Sequence, residues 1–157
     1  MTGTGTSFDI VRGQLPYDIG VLEGEARAEG LRFIDTLVRE WRDGTNRYDS
    51  ADEVLMTVRQ DWELAGIGGV TVDPVDPTAL RMRRFYVRTA YRRRGYGRRL
   101  ASALVARATA TGKTIFVNAG TELAPAFWES IGFRRHFEAG HTHVLGNNAR
   151  SIDMNQN

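Results

Sequence analysis

The run Arg92-Arg93-Arg94-Gly95-Tyr96-Gly97 lies between a strand-like and a helix-like segment, and that placement constrains the fold more than any other feature of the chain. Upstream, Leu80-Arg81-Met82-Arg83-Arg84-Phe85-Tyr86-Val87 has the aromatic and β-branched ending of a strand. Downstream, Gly97 to Thr111 sets Leu100, Ala101, Leu104, Val105 and Ala108 on one helical face. A glycine-bearing turn entering a helix leaves backbone N–H groups unpaired, and these add to the positive end of the helix dipole to make an anion site. The glycines let the main chain come close to a ligand, and the arginines supply fixed charge. Two familiar phosphate motifs are excluded. Leu100 breaks the dinucleotide fingerprint, and Arg107 stands where a P-loop ending in Gly112-Lys113-Thr114 needs its first glycine.

What fits is Arg92-x-x-Gly95-x-Gly97, which resembles the acyl-CoA pyrophosphate loop of the GNAT family of N-acetyltransferases. Neighbouring segments extend the resemblance across residues 79–133. Val87 to Gly95 is similar to the family's fourth strand and its exit toward the phosphates. Lys113-Thr114-Ile115-Phe116-Val117-Asn118 reads as the next parallel strand after a Gly112 helix stop. Pro125 to Phe133 resembles the following helix with its Gly132-Phe133 ending, Pro125 suiting a first helical turn.

Composition fits one soluble domain. The chain has 157 residues, 41% hydrophobic and 25% charged, with no cysteine, which removes disulfides, thiolate metal sites and a cysteine nucleophile. No membrane-length apolar run or signal peptide is present, so a cytoplasmic enzyme is the expectation. Of the 21 basic residues Lys113 is the only lysine, and nine arginines fall within residues 81–99. The net charge of only +2 argues against nucleic acid as the partner. The expected boundaries are a flexible 1–7, one domain over 8–146 and a loose tail over 147–157. Within the domain the reading is a strand at Phe8–Val11, one broken or two successive helices between Val21 and Arg42 with the break at Gly30 and the stop at Gly44, and a hairpin of Val54–Val58 with Leu64–Val72. Short strands near Arg134–Phe137 and Thr142–Leu145 close the order β-α-α-β-β-β-α-β-α-β-β.

The resemblance implies an α/β fold: a mixed, mainly antiparallel sheet of six to seven strands, about four flanking helices, and splayed strands 4 and 5 that admit an acyl-CoA arm. It implies main-chain contacts from Phe85, Tyr86 and Val87, phosphate contacts from Arg92, Arg93, Arg94, Gly95, Tyr96, Gly97 and Arg98, and a side-chain contact from Asn118. Phe127 and Trp128 would flank the acyl end, with Trp128 alternatively packing in the core beside Ile131. The Val87 N–H would stabilise the oxyanion of acetyl transfer from acetyl-CoA to an amine. A homodimer is a further family-level expectation.

Two positions depart from the family. The usual tyrosine acid is replaced by Trp128, whose indole has no useful proton, and Arg81 stands where a strand-4 glutamate is common. Glu122 is the candidate base, and a solvated carboxylate is its plainer reading. His136, His141 and His143 lack helical metal spacing, so no metal is expected. The acidic residues Glu23, Glu25, Glu29 and Asp35 point weakly to a cationic acceptor. A non-catalytic acyl-CoA-binding module is the competing reading, with arginine-mediated nucleic-acid binding behind it.

Overall fold

In the computed structural model, which describes residues 5–119, 125–138 and 140–146, one seven-stranded sheet carries helices on both faces. The order is β1 (Thr6–Ile10), α1 (Ile19–Ala28), α2 (Phe33–Asp43), β2 (Val54–Gln60), β3 (Glu63–Val72), β4 (Leu80–Val87), a 3-10 turn (Thr89–Tyr91), α3 (Tyr96–Thr109), β5 (Ile115–Val117), α4 (Pro125–Ile131), β6 (Arg134–Glu138) and β7 (His141–Leu145). Across the sheet the strands run β1-β2-β3-β4-β5-β7-β6, and only β4 and β5 pair in parallel. This is the expected mixed, mainly antiparallel architecture. One boundary differs: β1 begins at Thr6 and pairs it with Gln60, so Thr6 and Ser7 belong to the sheet rather than to a frayed end.

Local chemistry explains the chain reversals. Gly30 and Gly44 take left-handed φ of 81° and 82° just beyond α1 and α2. Asp61 and Trp62, at φ 51° and 78°, form the two-residue reversal between β2 and β3, the hairpin geometry that matches strand twist. Lys113, in the turn before β5, donates to Asp52 at 2.7 Å and ties that turn to the segment before β2.

Two cores sandwich the sheet. Leu22, Ala26, Ile34, Leu37 and Trp41 of α1 and α2 pack on Leu55, Leu64, Ile67 and Tyr86. On the other face Leu100, Leu104 and Ala108 of α3, with Trp128 of α4, cover Val70, Leu80, Met82, Phe85 and Val87. The contact of α3 with the sheet depends on Gly68, where a Cβ would sit 2.7 Å from Phe85 Cδ2 and 2.9 Å from Leu104 Cδ1.

Before α1, Asp18 accepts both Arg59 amino groups at 2.8 Å each, with the two side chains only 17% and 19% exposed. The hydrogen bond from Arg59 outweighs burial and holds the Asp18 carboxyl below its ordinary value. A depressed acid contributes stability above its unfolded pKa and loses it as pH falls through the folded one. Asp18→Asn should therefore cost about 1–3 kcal/mol near neutrality. The gap between the two proteins should close as pH drops from ~5 toward ~2, read by thermal unfolding at each pH. A gap that is constant across this range would contradict the assignment.

Candidate active site

The site begins where β4 and β5 separate. Their pairing consists of two rungs, Leu80 with Ile115 and Arg81 with Phe116, and beyond them the strands part. On its other side β4 carries a bulge: the register with β3 slips between Ile67 and Gly69, and Arg84 takes a left-handed φ of 55°. One extra residue reverses side-chain parity. Leu80 and Met82 face α3 before the bulge, and Phe85 and Val87 face the same core after it. Tyr86 turns to the α1/α2 face.

The main chain alternates too. Arg88 N–H donates to Ala65 O at 2.9 Å, so Arg88 points toward β3. Alternation puts the Tyr86 main chain in that same ladder and turns Val87 and Phe85 toward the gap left by β5. Of the three expected main-chain contacts, Phe85 and the Val87 N–H face the gap, the Val87 carbonyl being taken by Arg92 Nε at 2.8 Å, whereas the Tyr86 amide faces β3.

The loop that follows holds the residues expected to form the anion site. Arg93 and Gly95 take left-handed φ of 61° and 87°, and Gly95 precedes the 14-residue α3 with no side-chain cap. The first-turn N–H groups of Tyr96, Gly97 and Arg98 have no intrahelical acceptor by geometry. The arginines divide by role. Arg93 is exposed, and among the described residues its side chain has no hydrogen-bond or ion-pair partner. Arg94 lies 5.4 and 5.5 Å from the Tyr91 and Tyr96 rings and donates to Ala90 O at 3.2 Å. Arg98 donates to Ser130 Oγ at 2.9 Å, joining α3 to α4. Arg92 is turned inward: Nε donates to Val87 O at 2.8 Å and Nη2 to both Glu29 oxygens at 2.9 Å. Its guanidinium orders the strand exit, and reaching a diphosphate would require leaving Glu29.

Glu29 also accepts from the Tyr86 hydroxyl, while Glu25, one turn earlier on α1, accepts Arg88 Nε at 2.8 Å. Burial works against the Glu29 charge, but hydrogen bonds from Tyr86 and Arg92 outweigh it and hold the carboxyl below its usual range. Burial and the Glu29 carboxylate push the Tyr86 phenol well up, which leaves Tyr86 unsuited to donate a proton. The acidic character expected of α1 and α2 is thus largely neutralised, since Glu25 and Glu29 hold Arg88 and Arg92 and Asp35 is taken by Arg27. Nor is the arginine cluster a bare cationic face.

Trp128, expected to flank the acyl end, is wholly enclosed, with ring centroids 5.2 Å from Phe85, 5.1 Å from Phe127 and 5.5 Å from Phe133. It packs in the core, the second of its two readings, and its ring offers no exposed wall. Phe127 is half-buried beside the first turn of α3, 3.7 Å from where a Gly97 Cβ would stand. Asn118 follows β5 directly and is half-buried. Glu122 lies outside the described residues.

Sequence reasoning missed two arrangements. Glu25 and Glu29 lie four apart on α1 and match Arg88 and Arg92, also four apart, a spacing visible in the chain. His141 and Asp73 meet across 68 residues, and nothing local announces that pair.

A split parallel strand pair beside an uncapped, glycine-led helix defines the architecture of coenzyme-dependent acyl transfer. Residues 21–133 match the model of the Acetyltransferase (GNAT) family, and the chain belongs to that family. Solved structures of similar fold include a protein of Exiguobacterium sp. 255-15 assigned as an acetyltransferase, at TM-score 0.82 and 19% identity over 96% of this chain and 99% of that one. The YhbS GNAT acetyltransferase of Escherichia coli in complex with CoA superposes at TM-score 0.62 and 15% identity, covering 90% and 81% of the two chains. A mutant AtaT toxin bound to the antitoxin AtaR C-terminus and acetyl-CoA does so at 0.67 and 15% identity over 95% and 98%. No curated protein matches the chain.

Proposed function

We propose that this chain moves the acetyl group of acetyl-CoA to a primary amine of a small molecule or peptide, by direct attack through a tetrahedral intermediate. The observation that carries this reading is the succession of two sets of main-chain donors in the chain, one on the β4 edge beyond its last rung with β5 and one in the uncapped first turn of α3. The exposed amides at the start of α3 suit the diphosphate. The edge of β4 at Phe85 and Val87 suits the amides of the pantetheine arm as a strand-like partner. Bound CoA compounds in neighbours of this fold support the same ligand.

In this reading Arg93, Arg94 and Arg98 surround the phosphates with Gly95, Tyr96 and Gly97, and Arg92 shapes the loop through Glu29. Asn118 flanks the arm from β5, and the edge of Phe127 lies near the acyl end. The Val87 N–H donates to the oxyanion as the amine attacks, which is worth most in a site that excludes water. With Trp128 buried and Tyr86 held by Glu29, the thiolate leaves without a phenol acid. A thiol pKa near ~8.5 makes that departure tolerable at neutral pH. The amine approaches from the α1/α2 side, because α3 and α4 cover the other. A cleft of about 670 Å³ on that side is lined in part by Glu40, Asp49, Thr71 and Arg83.

Acetyl-CoA should raise the melting temperature, and a panel of primary amines should then release free thiol in step with acetylated product. Binding without thiol release across the panel would identify a non-catalytic acyl-CoA module instead. Absence of binding would end both readings.

A further inference from the structure

The arginines between β4 and the first turns of α3 all have work within the fold, with one exception. Arg88 holds Glu25 and lies over the Tyr91 ring, and Arg92 holds Glu29 and Val87 O. Arg94 lies over Tyr91 and Tyr96, Arg98 donates to Ser130 Oγ, and Arg99 lies 5.1 Å from the Phe8 ring. Arg93 is exposed, and among the described residues its side chain has no hydrogen-bond, ion-pair or ring partner.

Its backbone sharpens the question. A φ of 61° is left-handed, a conformation that costs energy for any residue with a β-carbon and that glycine adopts freely. The turn itself would be served better by glycine, so the fold does not account for an arginine here. A ligand does.

Coenzyme A carries three phosphates. Two form the diphosphate, which the amides of Tyr96, Gly97 and Arg98 suit. The third is a monoester on the 3′ carbon of the ribose that bears the diphosphate. Such a group carries about −1.5 to −2 charges at pH 7 and three strong acceptor oxygens. It stands one sugar ring from the diphosphate, and Arg93 stands two residues before Gly95, at most ~7.6 Å along the chain. An arginine side chain spans that offset, and its planar fork matches a phosphate with two parallel hydrogen bonds.

We infer that Arg93 binds the ribose 3′-phosphate and makes this chain selective for CoA over dephospho-CoA. The inference rests on the acetyl-CoA reading above. Arg93 takes no part in the chemistry of transfer: it decides which coenzyme is held, and the amides of α3 decide that a diphosphate is held at all.

The test is calorimetric titration of CoA and of dephospho-CoA into wild type, Arg93→Gln and Arg107→Gln. Arg107 is exposed in the last turn of α3, so its variant makes the same change in net charge at the far end of the helix. Wild type should bind CoA at least ~10-fold more tightly than dephospho-CoA, the worth of one charge-assisted contact. Arg93→Gln should bring the two Kd values together by weakening CoA alone, and Arg107→Gln should keep the wild-type ratio. The inference is overturned by a wild type without preference, by a preference that survives Arg93→Gln, or by one lost equally in Arg107→Gln. Equal weakening of both ligands in Arg93→Gln also overturns it, since that is the mark of a diphosphate contact. Should the glutamine variant not melt like wild type, Arg93→Gly takes its place, because glycine is at ease at this φ. Wild type that binds neither ligand defeats the acetyl-CoA reading itself, whereas tight and equal binding of both defeats this inference alone.

Discussion

Replacing Arg94 and Gly97 together by glutamate should abolish acetyl-CoA binding and leave the fold standing. Arg94 is exposed, lies over the Tyr91 and Tyr96 rings and donates to Ala90 O. Gly97 lies in the first turn of α3, and a Cβ there would meet Val87 Cγ2 at 3.4 Å and Phe127 at 3.7 Å, ordinary contact distances. The Cβ at position 97 is therefore accommodated, and in the proposed site the two carboxylates oppose the diphosphate. Losing one charge-assisted hydrogen bond costs roughly 1.5–3 kcal/mol, and added repulsion takes the combined loss beyond ~100-fold in Kd. Calorimetric titration reads this directly. A Kd within a few-fold of wild type, in a protein with an unchanged melting temperature, would remove the loop from the phosphate site.

The second large effect lies in the core. Gly68→Val should destabilise the protein by about 3 kcal/mol, because extra carbon forced into a close-packed interior displaces its neighbours. The Cβ alone would stand 2.7 Å from the Phe85 ring and 2.9 Å from Leu104, and Phe85 cannot retreat with Trp128 and Phe127 packed against it. At roughly 2–4 °C per kcal/mol for a chain of this size, the midpoint should fall about 6–12 °C. Calorimetric melting that shows a shift under about 2 °C would mean that α3 moves away from the sheet at little cost.

Most of the architecture could be read from the chain because it is written in local periodicity. Leu80–Val87 and the apolar face of Leu100, Leu104 and Ala108 emerge where the pattern placed them. Gly30 and Gly44 end their helices as their conformational freedom suggests. The bulge at Arg84 was less visible, although the spacing of Met82 to Phe85 breaks the strand's alternation and betrays it. Partnerships across the fold were not readable at all. The arginine run is legible as a cationic, glycine-bearing turn into a helix, but no local rule tells that Arg92 turns inward to Glu29 while Arg93 remains exposed. Burial of Trp128 likewise depends on Phe85, Phe127 and Phe133 converging from three elements.

The ion pair of Lys113 with Asp52 has a chemical consequence of its own. In the proposed reaction the acetyl thioester is an electrophile for any neutral side-chain amine, those of the protein itself included. Arginine stays protonated and is no nucleophile under these conditions. A chain with a single lysine, and that one engaged with a carboxylate, offers almost nothing of itself to be modified.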